Sequence, residues 1–575
     1  MTAHSVHVIA PWRMRVLILL LMGLGGLLVW RLVMLQVLDT ERGYHFLQQQ
    51  GNARSLRVEP IPAHRGIIKD RHGEALAVST PVQTLWANPQ VLLTEVEDLG
   101  PLARALNMSL DALHRKIAGV ADREFVYLRR RMRPDDAERV LALGVPGVHA
   151  RREYQRFYPA GEVAAHVVGF TNVDDAGQEG VELAFNSWLS GQAGAKQVIK
   201  DRYGDVIRDV QELDAMQPGR DLQLSLDLRL QYVAYRELKA AMTKSQANAG
   251  TVVVLDTRSG EVLAMANQPA FNPNNRDSIR GNGLRNRAIT DLFEPGSTVK
   301  PLTILAALES GQYTPDTLID TSPGYIKIER KVFRDHSNYG LIPLSTIITK
   351  SSQVGTTKVA LSLEQEHISD VFGRAGLGRS LGTGFPGETI GLLPTRSRWS
   401  GVMRANFAFG YGLSVTPLQL AHAYTVLANR GLDRPLTMLR ETETADGEQV
   451  FDRSNVEAVV NMMETVTRAG GTARRAAVTG YSTAGKTGTV HRMGPNGYEE
   501  KRYVSLFAGF APATEPRIVC VVIVDDPKGG QYFGGEIAAP VFSEVTRNAL
   551  RLLNVAPDVI TESALAQRDI TGGSA

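Results

Sequence analysis

Val16 to Trp30 is an uninterrupted apolar run, and after Arg31 it continues from Leu32 to Leu38 with only Gln36 polar. The stretch 16–38 is long enough to cross a bilayer, which takes about 20 residues. Arg31 lies past its middle, where a long side chain can reach back to an interface. Arg13 and Arg15 precede the run, so the positive-inside rule leaves residues 1–15 in the cytoplasm and the rest of the chain outside the inner membrane. A cleaved signal peptide is the rival. Its core is usually shorter and ends at small residues, whereas the exit here reads Trp30-Arg31-Leu32-Val33-Met34. The expectation is an uncleaved anchor. No later segment is apolar enough to span, so the chain is single-pass.

The chain beyond the anchor reads as globular, with 43% hydrophobic and 21% charged residues in the sequence as a whole. Lys plus Arg number 63 against 60 Asp plus Glu, and a net charge of +3 gives no footing to a nucleic-acid role. The one cysteine, Cys520, cannot form an internal disulfide, and no Cys/His cluster has metal-site spacing. Cys520 sits in the apolar run 518–524 and reads as a buried strand residue.

Residues 39–59 read as a linker or an extension of the anchor helix. Asp70-Arg71-His72-Gly73 is turn chemistry between two strand-like pieces. Leu99 to Leu143 has a helical pattern. His166, among small and apolar neighbours, reads as a packed structural histidine. Arg65, Asp70, Arg152 and Glu182 are expected to form a buried salt-bridge network. The region 39–220 carries no nucleophile-and-base pair and reads as a pedestal or docking surface. From 221 the pattern is strand (221–226), helix (227–242), strand (250–256) and strand (261–266). Helices follow at 301–310, 341–350, 356–363 and 415–430, then strands at 502–511 and 517–525. Strands at both ends with helices between predict an α+β arrangement, an antiparallel sheet beside a helical lobe. Residues 556–575 read as a disordered tail.

Within this second region, Ser297 and Lys300 stand three apart in Glu294-Pro295-Gly296-Ser297-Thr298-Val299-Lys300. On a helix that spacing puts both on one face. Pro295 suits a first helical position and Gly296 permits a tight turn, which places Ser297 at the positive end of a helix. A serine is a poor nucleophile until a base takes its proton, and a buried lysine can be that base. Lys350-Ser351-Ser352-Gln353 adds a hydroxyl and a carboxamide. Lys486-Thr487-Gly488-Thr489 adds a cation, two hydroxyls and a glycine that lets a ligand approach backbone N–H groups. Gln531-Tyr532-Phe533-Gly534-Gly535 comes last. Each is weak alone; the ordered set is hard to reach by chance. His491 is expected on the loop after Thr489, and Trp399 either lines the cleft or packs a helix end.

The ordered motifs resemble those of the penicillin-recognising serine acyltransferases, Ser-x-x-Lys, Ser-x-Asn and Lys-Thr-Gly. Arg65 to Ala77, Arg152 to Glu182, Phe293 to Leu302, Phe409 to Gln419 and Gly535 to Phe542 extend the likeness to class B penicillin-binding proteins, best to the division-type (FtsI-like) branch. It covers nearly everything from the anchor to about residue 550 and leaves no room for a glycosyltransferase domain. The resemblance implies a dimerisation-type pedestal over 39–220, a penicillin-binding transpeptidase fold over 221–555, and a D,D-transpeptidase that cross-links peptidoglycan stem peptides with loss of D-Ala, serving septal cell-wall synthesis. By the same resemblance Ser297 is the acylated nucleophile and Lys300 takes its proton. Ser351 relays protons to the leaving amine. Lys486 adds positive charge that helps hold Lys300 neutral and attracts the substrate carboxylate. Thr487 and Thr489 bind that carboxylate, and the N–H groups of Ser297 and Thr489 form the oxyanion hole. β-Lactams acylate Ser297, no metal or cofactor is required, and membrane division proteins, a SEDS-type glycosyltransferase among them, are the implied partners. One position departs: Gln353 stands where the family has Asn, one methylene longer with the same amide chemistry. Equivalence is the expectation, a specialised paralogue the alternative. A β-lactamase or carboxypeptidase would share the set, but the extra glutamate of class A β-lactamases has no identifiable counterpart here. A non-catalytic scaffold would not need the complete set.

Overall fold

The computed structural model describes residues 10–36, 46, 56–201, 206–275, 281–394, 399–494 and 497–559. The apolar run lies within a 26-residue helix, Pro11–Gln36, with its side chains exposed from Pro11 to Leu32. Its first 25 residues are long and apolar enough to cross a membrane. Most of the predicted linker, and the predicted tail from 560 on, lie outside the described residues; the disordered reading of 556–559 is corrected, since Asp558 accepts from the Ser482 N–H at 2.7 Å and from the Thr514 hydroxyl at 2.6 Å. Residues 56–59, taken with the linker in the sequence reading, belong to the strand Leu56–Ile61.

Beyond this helix the chain forms two compact units, neither contiguous in sequence. The first gathers residues up to 64, 81–155 and 191–218. Leu56–Ile61, Gly194–Lys200 and Val206–Asp214 form an antiparallel three-stranded sheet there. A separate core of Leu85, Leu92, Leu102, Leu106, Leu113, Ile117 and Leu128 is fully or almost fully buried. The helical reading of 99–143 is corrected. Helices Gly100–Ala105, Leu110–Ala118 and Pro134–Leu141 are interrupted by the strand Val126–Met132. Leu128 and Met132 are its buried positions, and their spacing of four imitates a helix face.

The second unit gathers 65–80, 156–190 and 219 onward. Its centre is an antiparallel sheet of five strands in the order Val262–Gln268, Ala249–Asp256, Ile518–Asp525, Gly497–Ala511, Ala484–Gly494. Ala249–Asp256 and Val262–Gln268 are buried at every position, which requires cover on both faces. Helices Leu228–Ser245 and Gly534–Leu552 pack on the sheet and on each other, and Pro417–Ala428 packs on the sheet strands and on Arg453–Glu464 of a helical lobe. Pro417–Ala428 is itself wholly buried and opens with a capping box, Thr416 with Gln419. Cys520 is buried in the central strand, as expected. The predicted strand 221–226 shrinks to Leu222–Gln223, paired in parallel with Ile68–Lys69. The helix expected over 341–350 begins as the strand Leu341–Pro343, and the one expected at 356 starts at Gln353.

The buried ion cluster of this unit is centred on Glu182. Its carboxylate accepts from Arg65 Nε and Arg156 Nε, each at 2.6 Å, and Arg65 also reaches Asn186 and Ser190. Arg65 and Glu182 were foreseen; Arg152 and Asp70 are corrected. Arg152 is exposed, lying over the Tyr154 ring, and Arg156 takes the place expected for it. Asp70 instead closes its own turn, accepting from the N–H groups of His72 and Glu74, and takes the Leu228 N–H at a helix start. His166 is buried, with Nε2 2.9 Å from the Gly283 carbonyl, and burial pulls its pKa down to about 4.

Candidate active site

Phe293 and Val415 exchange backbone hydrogen bonds, and the Gly296 N–H donates to the Gly410 carbonyl at 3.0 Å. Both glycines have positive φ, +55° and +87°. A Cβ on Gly410 would stand 2.2 Å from the Gly296 carbonyl oxygen, and one on Gly296 2.2 Å from Val490 Cγ1. Neither position admits a side chain. This junction fixes the start of a single 3-10 turn, Gly296–Val299, and the α-helix proper begins at Lys300. The sequence reading put Ser297 on the α-helix with Pro295 at its first position; the proline in the first turn of that helix is Pro301. Ser297 and Lys300 still share a face, because residues three apart eclipse on a 3-10 turn.

Lys300 is fully buried. Its Nζ donates to the Ser351 carbonyl at 2.6 Å, to Ser351 Oγ at 3.2 Å and to the Ser352 carbonyl at 3.3 Å, with the Phe409 ring centroid 6.0 Å away. Burial pulls its pKa down to about 7, against the opposing charge of Asp335. Lys486 is fully buried too, with Nζ on the Thr487 carbonyl and hydroxyl at 3.2 and 3.4 Å. Burial first, and then the charge of Lys300, push its pKa well below the usual lysine range. Each ammonium disfavours the other, so the pair carries fewer than two charges near neutrality. The lowering of Lys300 rests on desolvation.

Ser351 closes the helix Leu344–Lys350 in the left-handed conformation, φ +57°. Ser352 opens the next helix, Gln353–Ser362, its Oγ accepting from the Gly355 N–H at 2.9 Å. Gln353 is that helix's first residue, and among the described residues its carboxamide has no hydrogen-bond partner. The strand Ala484–Gly494 carries the remaining motif. A Cβ on Gly488 would lie 3.0 Å from Thr298 Cγ2 and 2.9 Å from Leu506 Cδ1, so the bare position 488 lets this strand run close against the Ser297 turn. Thr487 Oγ1 lies 3.1 Å from Thr472 Oγ1, and Thr489 Oγ1 accepts from the Gly534 N–H at 3.0 Å. The structure thus brings Lys300 together with Ser351, and the 486–489 strand alongside the turn of Ser297. His491 is corrected: the strand continues through it, and its ring lies 4.9 Å from Tyr503. Trp399 packs edge-on against Phe407.

Three features were missed. Asp335 accepts from Ser352 Oγ and the Gln353 N–H, each at 2.6 Å. Glu294 accepts from the Gly412 N–H at 2.8 Å and from the Tyr498 hydroxyl, and burial raises its pKa. Tyr532, in the stretch singled out near the end, stacks on Tyr503 at 4.1 Å. Among the described residues no cluster of three His, Cys, Asp or Glu is placed to hold a metal ion.

Residues 250–547 match the family described as the penicillin-binding protein transpeptidase domain, and residues 60–224 the penicillin-binding protein dimerisation domain. The chain belongs to the class B penicillin-binding proteins, with the transpeptidase fold of a serine acyltransferase family. It is 42% identical to the peptidoglycan D,D-transpeptidase FtsI of Escherichia coli over 98% of this chain and 96% of that one. It is 40% identical to the probable peptidoglycan D,D-transpeptidase PbpC of Pseudomonas aeruginosa, over 97% and 98%. Among solved structures, penicillin-binding protein 3 of Mycobacterium tuberculosis in complex with aztreonam has a TM-score of 0.67 at 28% identity, covering 87% of this chain and 98% of that one. The transpeptidase domain of Burkholderia pseudomallei penicillin-binding protein 3 has a TM-score of 0.54 at 38% identity, covering 59% and 98%.

Proposed function

We propose that this chain is a peptidoglycan D,D-transpeptidase acting through a Ser297 acyl-enzyme, and that it serves septal cell-wall synthesis. The observation that carries this is a buried lysine titrating near neutrality, one turn from Ser297 and hydrogen-bonded to a second serine. As a neutral amine, Lys300 donates two N–H bonds to the Ser351 and Ser352 carbonyls and turns its lone pair to a hydroxyl. Ser297 Oγ attacks the carbonyl of the penultimate D-Ala of a stem peptide while its proton passes to Lys300. The C–N bond then breaks, and Ser351 Oγ, 3.2 Å from Lys300 Nζ, hands a proton on to the departing D-Ala amine. An amine from a second stem peptide attacks the acyl-enzyme by the reverse path. Ser297 and Thr489 N–H groups face the developing oxyanion. Gln353 binds the substrate's amide. Thr487 and Thr489 bind its carboxylate across the bare backbone of Gly488, and the entering carboxylate favours the charged form of Lys486.

The transpeptidase domain is proposed to run over 221–555 and the pedestal over 39–220; the two family matches, 250–547 and 60–224, fall largely within these spans. Arg13 and Arg15 before the anchor support a cytoplasmic amino terminus and a periplasmic site at the inner membrane. Membrane division proteins and a SEDS-type glycosyltransferase are the proposed partners, through the anchor and residues 39–80.

The test is intact-mass spectrometry of the full-length chain in detergent with benzylpenicillin, followed over hours, with Ser297→Ala as control. A slowly decaying adduct that is absent from the control is expected. An adduct that clears within seconds would make the protein a β-lactamase, and none at all would leave a scaffold.

A further inference from the structure

The turn that carries Ser351 and Gln353 is gripped from two sides. On one side Lys300 Nζ holds the carbonyls of Ser351 and Ser352. On the other stands Asp335, half-buried after the strand Lys331–Arg334. Its Oδ2 accepts from Ser352 Oγ at 2.6 Å, and its Oδ1 from the N–H groups of Gln353 at 2.6 Å and Val354 at 3.1 Å. These are charge-assisted bonds from a residue 17 to 19 positions away in sequence. The helix start has its own cap in Ser352, so Asp335 is a second, external acceptor.

We infer that Asp335 is a positioning residue for the acyl transfer, clamping the Ser352–Val354 helix start directly after Ser351 by three hydrogen bonds and placing a negative charge behind Lys300. The inference rests on the transpeptidase reading. The left-handed Ser351 is a conformation that a non-glycine residue keeps only where its surroundings hold it. A carboxylate that fixes the next two residues is such a hold, and the same fixing sets where the Gln353 side chain leaves the backbone.

The charge has its own effect. Among the described residues, the ionisable groups that interact with Lys300 are Lys486 on the strand Ala484–Gly494 and Asp335; Ser351, Ser352 and the Phe409 ring are neutral. Of the helices packed on the far part of Lys300–Glu309, Gln365–Arg374 brings Arg374, paired with Glu309, and Arg453–Glu464 brings Glu464, paired with Arg468. Asp335 is the acidic neighbour that favours the protonated lysine, opposing burial. Removing its charge therefore leaves Lys300 neutral at lower pH.

The test measures second-order acylation of the full-length chain by benzylpenicillin from about pH 5.5 to 9, with thermal melts alongside. In Asp335→Asn the plateau is expected to fall about tenfold as the turn loosens, and the acidic limb to move down by about half a pH unit. In Ser352→Ala, which removes one clamp together with the cap on the Gly355 N–H and keeps the charge, the plateau falls and the limb stays. If Asp335→Asn melts too early to assay, Asp335→Glu carries the test, with a lowered plateau and an unmoved limb. A fall in plateau with no movement of the limb in Asp335→Asn, or a displaced limb in Asp335→Glu, overturns the proposal. So does an unchanged profile in either variant. If the wild-type chain forms no adduct, the transpeptidase reading falls and this inference with it; a wild-type adduct with an unaffected Asp335→Asn variant removes this inference alone.

Discussion

In the proposed mechanism Lys300 works only without its proton, and its buried position sets the pH at which that happens. With a pKa near 7, below the ordinary lysine value, the fraction of neutral base rises as pH rises through about 7 and saturates above it. Acylation by benzylpenicillin is expected to follow that limb. Lys300→Arg, which cannot deprotonate, should acylate about a thousandfold more slowly or worse; stopped-flow or quenched mass spectrometry reads both. Gln353→Asn is expected to keep or raise acylation, since the free carboxamide leaves the same backbone position and loses one methylene. A large fall on that change would show that the longer side chain is required. Ser297, Lys300, Ser351 and the 486–489 run stand out in the sequence because each lies in a short string whose spacing suits the proposed chemistry. Asp335 was not. Its partners lie 17 to 19 residues on, and one aspartate between Arg334 and His336 has no spacing to read.

Among the elements, those with strong periodicity were legible and those made by distant pairing were not. Helix Pro417–Ala428 and the strands of the central sheet follow from local pattern. The strand Val126–Met132 does not, because its two buried residues stand four apart. Arg152 and Arg156 lie on one face of the same strand by alternation, and nothing local says which is buried. Their difference has a consequence for stability. Glu182 pairs with two buried guanidiniums at once, so Glu182→Gln should cost about 3–5 kcal/mol in denaturant unfolding, because the arginines would then face a neutral amide. Arg152→Ala, on the surface, should change stability by less than about 0.5 kcal/mol.

At the scale of the whole molecule, the helix Pro11–Gln36 and the body after it answer to different solvents. Removing residues 1–38 is expected to move the protein from the pelleted membrane fraction to the supernatant without detergent, with benzylpenicillin acylation held within about twofold, since no site residue lies there. The anchor was legible because hydropathy is additive along the chain. The packing of 65–80 and 156–190 with the later residues was not, because the pairing of Leu222–Gln223 with Ile68–Lys69 joins segments over 150 residues apart. The position of Asp70 bears on how inhibitors of this protein would be ranked. A fragment begun at residue 221 would keep Ser297 and its neighbours, yet the Leu228 N–H would lose the Asp70 carboxylate and Gln231 the Val163 carbonyl it donates to at 2.8 Å. Melting-temperature screens on such a piece would mix binding at Ser297 with repair of a frayed first helix, and a compound could score by settling on the exposed end. Screening material that begins before Arg65 avoids that false signal.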